Sequence, residues 1–127
     1  MFNNKVILIT GGTGSFGKAF TNTVITKYKK IKKLIIFSRD EFKQYGMKKI
    51  FPETKHKCIR YLLGDIRDLK RLNLAFKGVD YVLHAAALKQ VDTAEYNPFE
   101  FVNTNIVGAQ NVVEAALTNK VKKIIAL

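Results

Sequence analysis

Thr10-Gly11-Gly12-Thr13-Gly14-Ser15-Phe16-Gly17 decides how this chain is read. It follows a short apolar run, Val6-Ile7-Leu8-Ile9, and opens a segment, residues 15–28, in which Phe16, Ala19, Phe20, Val24 and Ile25 recur at helical spacing. Gly12, Gly14 and Gly17 fit G-x-G-x-x-G, and Gly11, Gly14 and Gly17 fit the related G-x-x-G-x-x-G. A strand that turns sharply into a helix needs glycine for steric reasons, because the turn demands backbone angles that a Cβ resists. A helix N-terminus also offers unpaired N–H donors and a partial positive charge to phosphate oxygens. The predicted role of the loop is to cradle a dinucleotide pyrophosphate; the plainer alternative is a strand-to-helix turn without a ligand.

Outward from the loop, apolar runs alternate with amphipathic ones. Strands are predicted at residues 6–9, 34–37, 58–63, 79–83 and 123–127. Helices are predicted at 15–28, 40–50 and 68–76, with a long one from near Pro98 to about residue 117, proline being favoured in a first turn. Short apolar strands alternating with helices imply an α/β fold: a Rossmann-type parallel sheet of about five strands, covered by helices on both faces. Residues 1–127 read as one domain. The sequence stops inside the last predicted strand, so the expectation is the N-terminal part of a longer enzyme with an exposed sheet edge.

Composition narrows the class. Apolar residues make up 47%, which suits a globular chain, and no apolar run reaches the ~20 residues of a membrane span. No signal peptide is read, and a single cysteine, Cys58, leaves no internal disulfide or cysteine metal cluster; both fit a cytoplasmic location. The net charge of +12 invites a nucleic-acid reading. No helix-turn-helix, zinc-finger or aromatic-basic signature supports one, so the expectation is no nucleic-acid partner. Lysines flanking the apolar strands are most simply solvated surface.

The strand ends suggest which dinucleotide binds. NAD enzymes place an acid at the end of the second strand to accept from the ribose 2′-OH. Here that strand ends in Ser38-Arg39, which can donate to a 2′-phosphate, and Lys43 adds charge one turn later. The expected cofactor is therefore NADP, with Asp40 more naturally capping the helix that follows. In Gly64-Asp65-Ile66-Arg67-Asp68, Asp65 can accept from the adenine amino group with the Ile66 N–H at the ring. Either Asp65 or Asp68 can instead cap the next helix, a role Asp68 fits better. The small residues Ala85, Ala86 and Ala87 after His84 allow close approach of a cofactor, or are simply core. His84 reads as a packed strand-end histidine. Lys89 and Gln90 follow on the expected substrate side, and Asn105 is unfavourable in mid-helix unless it makes a buried or active-site hydrogen bond.

Taken together, these residues resemble the extended short-chain dehydrogenase/reductase superfamily. Within it they resemble the C5-inverting UDP-N-acetylglucosamine 4,6-dehydratases of the polysaccharide-biosynthesis group, which act early in making pseudaminic acid and related surface sugars. The residues that carry the likeness are Ile9 through Gly17, Phe37-Ser38-Arg39-Asp40-Glu41-Phe42-Lys43-Gln44, Gly64 through Asp68, His84-Ala85-Ala86-Ala87-Leu88-Lys89, Ala94-Glu95-Tyr96-Asn97-Pro98 and Thr104-Asn105. The resemblance implies that Thr13, Gly14, Ser15 and Phe16 contact the pyrophosphate and that Ser38, Arg39 and Lys43 surround the 2′-phosphate. It implies that Asp65 and Ile66 hold adenine, and that Ala85, Ala86 and Lys89 line the nicotinamide and UDP-sugar side, Lys89 touching substrate. Members oxidise the sugar at C4 with NADP+, eliminate water across C5–C6, and return the hydride to C6. The chain departs from the group at Gln90 and Asp92, where members often carry His and Pro. The group's catalytic Thr-Asp-Lys and Tyr-x-x-x-Lys would follow Leu127, so no catalytic residue is assigned here, and the expectation is cofactor binding without turnover. A homo-oligomer is implied for the full-length enzyme. The alternatives are a nucleotide-sugar epimerase or reductase of the same superfamily, or a non-catalytic NADP-binding module.

Overall fold

The computed structural model describes residues 2–86 and 103–127. Strand β1 (Val6–Thr10) leads through the glycine turn into α1 (Ser15–Lys27), and β2 (Lys33–Ser38) is followed by α2 (Glu41–Ile50). Next come β3 (Ile59–Leu63), α3 (Leu69–Ala75) and β4 (Tyr81–His84). After residues outside the description, a π-helical turn (Asn103–Val107) runs into α4 (Gly108–Thr118) and β5 (Lys123–Ala126). The five strands pair in parallel in the order β3-β2-β1-β4-β5.

Side-chain alternation along the strands builds two cores. Val6, Leu8, Ile35, Phe37 and Val82 pack with Leu72 of α3 and with Val112, Ala115 and Ala116 of α4. Ile7, Ile9, Leu34, Ile36 and Leu83 pack with Val24 of α1 and Met47 of α2 on the opposite face. β1 is buried at every position, as a central parallel strand with helices on both faces must be. Winding proceeds from β1 to β3 in one direction and from β4 to β5 in the other. The reversal leaves a crevice at the C-terminal ends of β1 and β4, where open α/β sheets bind ligands.

The predicted elements stand, with shifted boundaries. β4 starts at Tyr81 rather than at residue 79, because the Val79 amide still bonds to the Phe76 carbonyl at 3.1 Å and Gly78 turns with φ +74°. The Asp80 amide makes the first bond to the neighbouring strand, to Val6 O at 2.8 Å. The described part of the long helix is not uniform, since it begins with the π-helical turn; its predicted start at Pro98 lies outside the described residues. β5 forms one edge of the sheet, with Ile125 and Leu127 exposed.

Candidate dinucleotide site

The glycine turn is anchored from below. Gly11 has φ +65°, its amide donates to Phe37 O at 2.8 Å, and a Cβ there would lie 2.8 Å from both Ala85 O and Ala86 Cα. A Cβ on Gly17 would collide with the Gly12 carbonyl, so the protein's own packing requires both glycines. Gly14 is different. It has φ −77°, and an added Cβ would meet nothing nearer than Gly11 O at 3.6 Å, which is ordinary contact. Gly14 is also the N-cap of α1. No side chain caps that helix and no acidic residue lies in its first turn. The amides opening α1 therefore have neither intrahelical nor side-chain acceptors, the arrangement that receives anions. Thr13 is buried beneath the turn, while Ser15 and Phe16 lie on its outer side, Phe16 stacking on Phe20 at 6.0 Å.

The ends of β2 and β3 form the second part. Ser38 is buried, its carbonyl accepts from the Gly64 amide at 3.0 Å, and its hydroxyl has no partner. Arg39 is half-exposed, with Nη1 3.8 Å from Oδ2 of Asp65. Arg67 grips the Asp65 carboxylate from the other side: Nη2 donates to Oδ2 at 2.7 Å, and the Arg67 amide donates to Oδ1 at 2.9 Å. The hydrogen bonds from Arg67, with the charges of Arg67 and Arg39, hold the Asp65 carboxyl below its ordinary range despite partial burial. Asp40 caps α2 by accepting from the Lys43 amide at 3.0 Å, and Asp68 caps α3 by accepting from the Arg71 amide at 3.1 Å. An open groove of about 720 Å³ beside Arg39 is lined also by Asp40, Glu41, Phe42 and Tyr45.

The third part lies at the crevice itself. The Thr10 hydroxyl, fully buried, sits 2.7 Å from Nδ1 of His84 and accepts from the Ala85 amide at 3.0 Å. Burial lowers the His84 pKa, so the imidazole is neutral at pH 7. Ile66 turns its side chain into the core against Gly108, where a Cβ would overlap it. Its carbonyl accepts from Asn111 Nδ2 at 3.0 Å.

The family model described as polysaccharide biosynthesis protein matches residues 7–127. The chain belongs to this family. The UDP-N-acetylglucosamine 4,6-dehydratase (inverting) of Campylobacter jejuni is 57% identical over 127 residues, covering 100% of this chain and 37% of the relative. The UDP-glucose 4-epimerase of Rickettsia massiliae is 50% identical over 133 aligned residues with the same coverage. The chain therefore spans about 37% of the length of these curated relatives. Among solved structures, Pen from Bacillus thuringiensis superposes with a TM-score of 0.90 at 46% identity, over 99% of this chain and 37% of that one. A dTDP-glucose 4,6-dehydratase from Streptomyces venezuelae, solved with NAD bound, gives 0.79 at 25% identity, over 94% and 38%. The expected superfamily and Rossmann-type fold are thus established for the polysaccharide-biosynthesis chain.

The structure brings together Gly11, Thr13, Gly14, Ser15, Phe16 and Gly17 at the β1–α1 turn. Ser38, Arg39, Asp40, Lys43 and Asp65 gather at the ends of β2 and β3. Ala85 and Ala86 meet the glycine turn, Ile66 offers backbone only, and Asn105 lies half-buried in the π-helical turn. Ala87 and Lys89 lie outside the described residues. Two features were not expected: the Thr10–His84 bond and the grip of Arg67 on Asp65. The first had a sequence trace, a polar Thr10 ending an apolar strand; the second had none, because Arg67 looks like any surface cation.

Proposed function

We propose that this chain is the NADP-binding part of a C5-inverting UDP-N-acetylglucosamine 4,6-dehydratase, a lyase of surface-polysaccharide synthesis. The observation that carries the cofactor assignment is the Ser38 hydroxyl, buried and unpartnered at the end of β2, one residue before Arg39. A buried hydroxyl without a partner is costly, and a 2′-phosphate oxygen would accept from it and from Arg39 together. Lys43 adds a second cation from the first turn of α2.

The remaining contacts are assigned from the family resemblance. The uncapped start of α1, at Gly14, Ser15 and Phe16, binds the pyrophosphate, with Thr13 beneath. On that basis Asp65 and the Ile66 backbone hold adenine, and Ala85, Ala86 and Asn105 border the nicotinamide half; the resemblance also assigns Ala87 to the cofactor and Lys89 to the UDP-sugar. NADP+, when bound, accepts a hydride from the sugar and returns it after elimination. The residues of this chain bind and orient; none is assigned the proton or hydride transfer. The 57% identity to the Campylobacter enzyme supports UDP-N-acetylglucosamine as substrate; a cytoplasmic homo-oligomer is part of the same proposal.

A second reading, a UDP-sugar 4-epimerase, is favoured by the Rickettsia massiliae relative at 50% identity. Two measurements test the proposal. Titration of the chain with NADP+ and NAD+ should show tighter binding of NADP+; equal affinities overturn the Ser38–Arg39 assignment. Incubating the full-length protein with UDP-N-acetylglucosamine should release water and give a 4-keto-6-deoxy sugar inverted at C5. A simple 4-epimer would establish the second reading instead.

A further inference from the structure

All five strands are parallel, so the segments that enter them lie along one edge of the sheet, opposite the glycine turn. That edge is lined with lysine. Lys5 precedes β1, and Lys29, Lys30, Lys32 and Lys33 lead into β2. Lys55 and Lys57 precede β3, Lys77 precedes β4, and Lys120, Lys122 and Lys123 lead into β5. Among the described residues these entry segments hold eleven lysines, no arginine, and two carboxylates, Glu53 and Asp80. Asp80 is engaged within the fold: Oδ2 accepts from the Val6 amide at 2.8 Å, and Oδ1 lies 3.8 Å from Lys122 Nζ.

Helix dipoles explain only part of this. The C-terminal ends of α1 and α2 reach the same edge, and cations are favoured there, which accounts for Lys27, Lys48 and Lys49. It does not account for the lysines that follow the helices and lead into the strands. Nor are these lysines spaced to avoid one another. Lys5 and Lys122 interact at the entries of β1 and β5, the interaction pushing the Lys5 pKa below its ordinary value and the Lys122 pKa above it.

We propose that this lysine-lined base of the sheet docks on an anionic lipid surface. Five strands at about 4.8 Å spacing give a front on the order of 20 Å wide. A broad field of lysines is what a diffuse anionic surface attracts. Nucleic-acid recognition calls instead for arginine forks and presented aromatic rings. Arginine is missing from the entry segments, and Tyr28, an exposed ring there, packs edge-on against Phe2 at 4.9 Å. Docking by this edge leaves the glycine turn, at the far ends of the strands, open to small molecules.

The test is sedimentation of the chain with vesicles of phosphatidylcholine alone or with 30 mol% phosphatidylglycerol, at about 0.1 M and about 0.5 M salt. Binding is expected only to the anionic vesicles and only at the lower salt. The variant K32Q/K33Q/K122Q/K123Q should lower partitioning by at least about 30-fold, whereas K18Q/K70Q, two charges away from this edge, should change it less than about threefold. Circular dichroism verifies that both variants are folded. Equal binding to neutral vesicles, no binding to anionic ones, or an equal loss per charge in both variants overturns the proposal. So does tighter binding to duplex DNA or single-stranded RNA than to the anionic vesicles at the same salt.

Discussion

The Thr10 hydroxyl lies 2.7 Å from Nδ1 of His84 and joins the C-terminal ends of β1 and β4 at the point where the sheet reverses its winding. The same hydroxyl accepts from the Ala85 amide. Whether the hydroxyl donates to Nδ1 or accepts from it follows the histidine tautomer; either way the contact pairs both groups. The next carbonyl, Ala85 O, backs Gly11, so the bond fixes the floor of the glycine turn.

Thr10→Val should therefore weaken the fold and Thr10→Ser should not. Valine leaves a buried Nδ1 without its partner, a cost of about 1–3 kcal/mol. Serine keeps the hydroxyl and loses only a methyl. Urea midpoints of the two variants check this, and equal destabilisation by both would assign the effect to packing rather than to the bond.

His84 also makes stability depend on pH. Burial lowers its folded pKa below the ordinary 6.5 that it recovers on unfolding. Above pH 6.5 both states are neutral at this site, and its contribution to stability is complete. As pH falls below that value the unfolded chain takes the proton first, so stability declines until the folded pKa is passed. Comparing unfolding midpoints at pH 7.5 and 5.5 should show a drop in the parent chain and a smaller one in His84→Asn. Parallel declines would place the titration elsewhere.

The glycines divide into two kinds, and substitution should separate them. Gly17→Ala drives a Cβ into the Gly12 carbonyl and should cost at least about 1–3 kcal/mol of stability. Gly14→Ala meets only a contact at 3.6 Å, and its cost should stay near the ~1 kcal/mol of a poorer N-cap. Its dinucleotide affinity should nevertheless fall at least about tenfold, because the methyl occupies the approach to the α1 amides. Thermal unfolding and cofactor titration of both variants supply the two readouts.

Most of the architecture was legible because its signals are local. Four- and five-residue apolar runs with glycine punctuation located the strands, and Asp40 and Asp68 announced the helix starts they cap. What was not legible is set by side-chain pairings and backbone departures that composition and periodicity do not encode. Asp65 reads alone as an adenine ligand, yet Arg67 and Arg39 hold its carboxylate from two sides. Asn105 reads as an oddity in a regular helix, whereas the backbone there winds as a π-helical turn, a departure that propensity cannot specify. The positive edge was visible only as scattered lysines until the parallel order aligned the strand entries.

Ser38 and Arg39 give the sharpest test of the cofactor reading, because their effects on the chain alone and on its complexes run in opposite directions. The Ser38 hydroxyl is buried without a partner, so Ser38→Ala should leave the cofactor-free chain as stable as before or slightly more stable. The same change should weaken NADP+ by about tenfold, the lower end of the worth of one hydrogen bond to a charged group, and leave NAD+ within about twofold. Arg39→Gln removes the cation beside Asp65, but Arg67 still satisfies that carboxylate, so the fold should persist. Its loss of NADP+ affinity should be larger, about 10–100-fold, again with NAD+ little changed. Calorimetric titration of both variants with both dinucleotides decides the matter. A uniform loss for NAD+ and NADP+ would mean that these residues shape the adenosine pocket without reading the 2′-phosphate.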